Sequence, residues 1–239
     1  MSADGTATSS PIPATATTRL RYVKLMADLP QLTPLGTILS YNNAAFSVAG
    51  RVIEVVTGKT YEAALKELVL DPIGLKHSFM FRTDVMTHSF AVGHTTIADK
   101  AVVLRPWQLT RACGPAGGIA ASMIDQLRYA RFHLGDGTAA DGARILTRES
   151  LAMMQTLGDA GMLDIKMGLA WMTRDIGGLR RVFHGGGTYG QLTAFTMTPA
   201  RRSDPRPSVG APLEHGELGV LVDVHFHRAG AGADDATRD

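Results

Sequence analysis

Two short stretches of this 239-residue chain carry side chains suited to chemistry on a carbonyl group. Tyr41-Asn42-Asn43 follows the extended segment LGTILS and puts a phenol at the mouth of a helix, with an amide side chain two residues on. His184-Gly185-Gly186-Gly187 places a histidine at the end of a strand, before residues small enough for a ligand to lie against the backbone. A phenol acts as a base where its surroundings lower its proton affinity, an amide both donates and accepts, and an imidazole adds a donor or a positive charge. Strand N–H groups beside glycine can stabilise an oxyanion. Each stretch also has a plain reading, the first as a turn with a helix cap and the second as a hairpin bend. A phosphate cradle is disfavoured, because no Lys-Ser/Thr pair follows the glycines.

Other reactive side chains are less well placed. Ser40 adjoins Tyr41, but neighbours on an extended strand point to opposite faces. Ser47 reads as a helix-surface residue, Ser122 as an N-cap, and Cys113, the single cysteine, has no evident histidine partner. Asp223, His225 and His227 alternate along an apolar segment and would share one strand face. Three ligands so close together on one strand seldom span a coordination shell, so no metal or other cofactor is expected.

The elements that must position these groups follow from periodicity. Tyr22 to Leu29 suits a short amphipathic helix, after which Pro30, Pro34 and Gly36 force an extended, turning passage. Asn42 or Asn43 can cap a helix whose Ala45, Ala49, Val52 and Val56 fall on one face, with Gly58 placed to end it. Thr60 caps the next helix, whose apolar face is Tyr61, Ala64, Leu65 and Leu68 and which Asp71-Pro72 should stop. Residues 74–118 read as loop and short strand. Ser122 with Asp125 resembles a capping box, opening a helix with Met123, Leu127, Ala130 and Leu134 on one side. Thr147 caps a further helix. Strands are expected beyond residue 166: Met167 to Thr173, a Gly177-Gly178 turn, Arg180 to His184, a glycine-rich interruption, then Leu192 to Thr198.

Composition narrows the function. With 24 Lys plus Arg against 22 Asp plus Glu, the signs interspersed, the chain shows no footprint for nucleic acid. Its apolar runs are far shorter than the roughly 20 residues of a membrane span. The first 20 residues, rich in Ser, Thr, Ala and Pro, read as a disordered tail without the character of a secretory leader, so the chain as it stands is expected in the cytoplasm.

The two chemical motifs, taken together, resemble the serine β-lactamase-like superfamily of class C β-lactamases, D-alanyl-D-alanine carboxypeptidases and related esterases. Tyr41 and Asn43 match that family's Y-x-N, and His184 with Gly186 match its H-x-G, which stands in other members as K-T-G. NNAAFSVAGRVIEVVTGKTYEAALKELVLDPIGLKHS resembles the helical hairpin after Y-x-N, and PAGGIAASMIDQLRYARFHLGDG the family's AGG-turn helix. GLAWMTRDIGGLRRVFHGGGTYGQLTAFTMTP resembles the strands around H-x-G. The resemblance covers roughly residues 22–199 and implies hydrolysis of β-lactams, D-alanyl peptides or esters through an acyl-enzyme. It places Tyr41 at the general-base position, Asn43, His184 and Gly186 in substrate binding, and Gly187 as an oxyanion N–H. H-x-G in place of K-T-G leans toward esterase or peptidase chemistry.

The family's third element, the S-x-x-K pair of nucleophile and lysine, does not occur. The six lysines, 24, 59, 66, 76, 100 and 166, follow Arg21, Val56, Ala63, Ile73, Ile97 and Leu163 at the serine position. The resemblance therefore implies a chain truncated ahead of Y-x-N. Beyond Pro199 an arginine- and proline-rich stretch departs from the family, as a frameshift or gene erosion would make it. The expectations are a disordered tail over 1–20, a partial β-lactamase-related domain over 21–199 and a divergent, poorly ordered tail over 200–239. Within the domain an α/β (α+β) fold is expected, an antiparallel sheet flanked by helices beside a helical region. The reading is a hydrolase fragment incompetent alone, binding a small-molecule or peptide substrate. Its alternative is a non-enzymatic ligand-binding module, or one that pairs with a separately encoded N-terminal piece. Loss of the family's nucleophile helix should also leave apolar surface exposed.

Overall fold

The computed structural model describes residues 17–156, 158–162, 164–199 and 219–223. Of the tails expected at the two ends, 1–16, 200–218 and 224–239 lie outside the described residues.

The helical region begins with α1 (Thr17–Lys24), earlier than the helix expected from Tyr22. Turns then lead to α2 (Asn43–Thr57). Asn42 caps α2, its side-chain oxygen accepting from the Ala44 N–H at 2.8 Å, and Gly58 ends it in the left-handed conformation at φ +65°. Thr60 caps α3 (Tyr61–Leu65), which runs on through a π turn (Lys66–Leu70) into α4 (Asp71–Ile73). Asp71-Pro72 thus does not stop the helix. Proline has no N–H to give the fourth residue back, and its ring crowds that carbonyl; widening to a π turn, in which Asp71 N–H reaches Lys66 O, lets the chain pass.

The face of α2 that packs is not the one its hydrophobic spacing suggests. Ala45, Ala49, Val52 and Val56 are exposed, Val56 by 79%, while Ser47, Gly50 and Glu54 form the buried stripe. A Cβ on Gly50 would come within 2.4 Å of Pro115 in the 3₁₀ turn Arg111–Ala116, so glycine is what allows the close approach. Glu54 is buried because Arg19 of α1 is buried with it, 2% exposed. Arg19 pairs with Glu54 and with Glu62 of α3 at 3.2 Å, and donates to the Arg111 carbonyl at 3.0 Å. Arg51 holds the other Glu54 oxygen at 3.1 Å, and Arg111 grips Glu62 through two bonds of 2.9 and 2.8 Å. Burial is the largest influence and raises the Glu62 carboxyl, but the Arg111 hydrogen bond, a backbone hydrogen bond and the charges of Arg111 and Arg19 together outweigh it and hold the group below its ordinary range.

Five small elements link this region to the sheet. β1 (Ser78–Phe79) pairs with β4 (Ala120–Ala121), α5 (Arg82–Val85) follows β1, and β2 (His94–Ile97) and β3 (Lys100–Val103) form a hairpin. Ser122 caps α6 (Met123–Leu134), accepting from the Asp125 N–H at 3.2 Å. The capping box is not reciprocal, since Asp125 turns inward to accept from His77 N–H at 2.6 Å and Ser78 Oγ at 3.0 Å. Thr147 caps α7 (Arg148–Gln155).

The main sheet is fully antiparallel in the order β10-β9-β8-β7-β6-β5, formed by β5 (Gly158–Met162), β6 (Ile165–Met167), β7 (Met172–Ile176), β8 (Leu179–Thr188), β9 (Gln191–Thr198) and β10 (Gly219–Asp223). The strand expected over Met167–Thr173 is interrupted, with Gly168 N–H bonded to Trp171 O at 2.7 Å and Ala170 at φ +77°. The glycine-rich passage, conversely, does not interrupt β8, which carries all three glycines and turns only at Tyr189-Gly190.

Two cores meet on α6. Phe132 packs with Leu70, Ile73, Leu75 and Leu151, and Ala130 with Trp171, Val182, Phe195 and Met197, while Tyr129 touches both groups. His133 lies beside the second core, its ring 4.4 Å from Tyr129 and 5.3 Å from Trp171. Burial pushes this imidazole down to about 4.

Two predictions follow from these interiors. Arg19→Ala leaves Glu54 and Glu62 with one guanidinium each and should destabilise by about 3 kcal/mol, the lower end for breaking a buried pair, read from urea unfolding. The unfolded chain takes up a proton at His133 near pH 6.5 that the folded chain refuses until about 4, so stability falls as pH drops through that window. The loss is on the order of 3 kcal/mol, and His133→Leu should remove it, as urea midpoints at neutral and mildly acid pH would show.

Candidate active site

Tyr41 and His184 meet although 143 residues separate them, the phenol oxygen lying 3.4 Å from Nε2 and the ring centroids 6.1 Å apart. Tyr41 is held by the cap geometry of α2, since it immediately precedes Asn42. His184 is held by β8, opposite Phe195 of β9. Side chains alternate along a strand, so His184 shares its sheet face with Val182, which packs in the α6 core. His184 Nδ1 lies 2.6 Å from the Gly185 carbonyl, an acceptor, so Nδ1 carries the proton. In a neutral ring Nε2 is then the acceptor, and Tyr41 O–H donates to it.

β8 outruns its neighbour at this point. β7 pairs with β8 only from Leu179 to Phe183, while β9 continues through Thr188. From His184 to Thr188 the edge of β8 away from β9 is therefore unpaired among the described residues. Alternate residues there direct N–H and C=O groups outward. Gly186 faces open space, with nothing within 4 Å of where a Cβ would stand, whereas at Gly187 a Cβ would meet Leu192 at 3.1 Å. Asn43 is exposed on the first turn of α2, two residues from Tyr41, which is itself 49% exposed. The arrangement can present a phenol, an imidazole, an amide and backbone donors to a polar ligand running along the β8 edge.

The remaining sequence candidates sit elsewhere. Ser47, expected on the helix surface, is fully buried, because α2 turns that stripe toward Arg19 and the 3₁₀ turn. Ser122 is spent as the α6 cap, and Cys113 lies half-buried within the 3₁₀ turn. Asp223 falls on β10, and His225 and His227 lie outside the described residues. No group of three or more metal-ligating side chains gathers among the described residues, and no helix there is long and apolar enough to cross a membrane.

A family model described as Beta-lactamase matches residues 4–231, and the chain belongs to that family. It is 32% identical over 190 residues to penicillin-binding protein 4 of Amycolatopsis lactamdurans, a match covering 75% of this chain and 49% of that protein. The chain thus spans about half the length of this relative. Among solved structures, the octameric penicillin-binding protein homologue from Pyrococcus abyssi superposes with a TM-score of 0.70 at 19% identity, over 92% of this chain and 45% of that one. A class C beta lactamase from Rhodobacter sphaeroides gives 0.61 at 18%, over 85% and 59%. At these identities the structural likeness is one of fold.

The proton assignment is open to direct measurement. Nitrogen-15 NMR of the neutral His184 ring should show the Nδ1–H form, and Tyr41→Phe should shift Nε2 alone; a ring protonated at Nε2 would contradict the geometry.

Proposed function

We propose that this chain carries the substrate-side half of a β-lactamase-family serine hydrolase site and does not form an acyl-enzyme by itself. The observation that carries the reading is the Tyr41–His184 contact beside the unpaired β8 edge. In this reading Tyr41 occupies the general-base position, Asn43 and His184 hold the substrate's amide and carboxylate, Gly186 keeps the strand clear, and Gly187 N–H faces the oxyanion. The substrate is a β-lactam, a D-alanyl peptide or an ester. The lack of any S-x-x-K in the sequence supports the second half of the proposal. Without the attacking serine, its lysine and the serine's own oxyanion N–H, the rate should fall by about a million-fold relative to a complete enzyme.

A second reading is supported by the apolar face of α2, where Val52, Val55 and Val56 are all more than half exposed. On that reading the chain complements a separate segment that brings the S-x-x-K pair and covers this face.

Intact-mass spectrometry of the folded chain after incubation with a penicillin and with a fluorophosphonate tests the first reading. No mass gain is expected. A stoichiometric adduct would overturn the claim of incompetence, and peptide mapping would identify the nucleophile. Co-expression with the product of a neighbouring reading frame that contains S-x-x-K should yield an adduct on that product if complementation is correct, and none if it is not.

A further inference from the structure

Two histidines stand together in the lining of a cavity of about 590 Å³, walled by segments between His77 and Trp107, by the start of α6 and by the first residues of β9. His77 directly precedes β1, and its main chain is fixed at both polar groups. Its N–H donates to Asp125 Oδ2 at 2.6 Å and its carbonyl accepts from Ser122 N–H at 2.9 Å. His88 lies in the turn after α5, where its N–H donates to the Val85 carbonyl at 2.9 Å. The His88 ring is set against two neighbours, stacked on Phe79 at 5.0 Å and edge-on to His77 at 5.6 Å. Phe90 and Trp107, which meet edge-on at 5.5 Å, give the cavity an aromatic wall. The segment carrying Phe90 is held to the sheet at Gly93, where a Cβ would lie 1.8 Å from the Tyr189 carbonyl, so glycine is what lets it dock on the β8–β9 turn.

The placement of the two rings suits a shared ion. Neither imidazole hydrogen-bonds to a described residue, which leaves the ring nitrogens available as ligands. An imidazole nitrogen stands about 2.1 Å from a bound zinc ion and about 1.2 Å from its own ring centre, so two rings on one ion have centroids roughly 5.4 Å apart at the tetrahedral angle and roughly 5.7 Å at a trigonal one. The observed separation, 5.6 Å, falls between the two. Parallel rings keep their in-plane lone pairs apart, whereas planes crossed at 83° intersect along a line that both lone pairs can reach. The rest of the lining decides which ions fit. No Asp, Glu, Lys, Arg or Cys lines the cavity, and Ser89, Ser122 and Gln126 add only neutral oxygens beside the imidazoles. Such a set suits zinc, nickel or copper, whose affinity for imidazole is high, and disfavours magnesium and calcium, which call for carboxylate oxygens.

We infer that His77 and His88 form a two-histidine binding site for a borderline divalent metal ion such as zinc, with the remaining coordination positions open to the cavity. Water or a ligand carboxylate fills those positions. The site stands apart from the β8 edge and does not depend on the reading of that edge as substrate-binding.

Zinc titrated into the full chain at neutral pH, followed by NMR of the histidine rings, tests the site. The rings of His77 and His88 should shift together and saturate at one equivalent. His77→Ala and His88→Phe should each weaken zinc binding at least about tenfold, the smallest loss expected from disturbing a metal's ligands. His88→Phe keeps a ring to stack on Phe79, so a loss of binding with unchanged circular dichroism reports ligation rather than packing. His77→Ala leaves the main-chain bonds of residue 77 in place and carries the test if His88→Phe does not fold. Magnesium at the same concentration should shift neither ring. His225→Ala with His227→Ala, which removes the other closely spaced pair of histidines, should leave zinc affinity unchanged. The inference is overturned if zinc moves neither ring or only one of them, or if the folded His77 and His88 variants bind as tightly as the unaltered chain. It fails equally if the loss follows the His225 and His227 variant, or if magnesium shifts both rings as zinc does.

Discussion

Much of this structure depends on one buried guanidinium. Arg19 reaches from α1 to Glu54 on α2, to Glu62 on α3 and to the Arg111 carbonyl, so four segments distant in sequence share a single charge. Buried charges persist only when paired and hydrogen-bonded, and here each carboxylate has a second arginine as well. The consequence reaches the candidate site. By fixing the rotation of α2 about its axis, the network fixes where the cap at Asn42 points, and with it the position of Tyr41.

The same rotation explains the apolar surface. To bury Glu54 against Arg19, α2 must turn Ser47 and Gly50 inward, and its valines then face outward. Binary patterning assumes that the most apolar face is the buried one. That assumption holds for a helix whose neighbours are all present, and it fails for α2 because a strong local ion network, not hydrophobic area, decides the packing among the described residues.

On the sheet side, the decisive constraint is the unequal length of two strands. β8 runs five residues past the last pair it makes with β7, and those residues are the histidine, the three glycines and a threonine. Glycine is not required there by its dihedral angles. Its use is the absence of a side chain, which leaves the strand's backbone and the space above Gly186 clear. A strand whose other edge is held by β9 keeps its shape while remaining available to a ligand.

The sequence by itself determined the local features. The caps at Asn42, Thr60, Ser122 and Thr147, the glycine stop at Gly58 and the turn at Gly177-Gly178 are legible because each depends on a few adjacent residues. Family membership was legible for a similar reason, since Y-x-N and H-x-G are short and their flanks are characteristic. Only the tertiary structure decided the rest. Helix passage through Pro72 depends on a π turn, and the inward turn of Asp125 depends on the His77 N–H, 48 residues away. The buried roles of Arg19 and Ser47 depend on which elements meet. The aromatic cavity left only a faint trace, a tryptophan and several aromatics in a stretch without periodicity. Its walls come from separate segments that no spacing relates, and only the docking of the 90–93 loop on the β8–β9 turn brings them together. Local rules act through neighbours in the chain, whereas burial, charge pairing and cavities are properties of the neighbours in space.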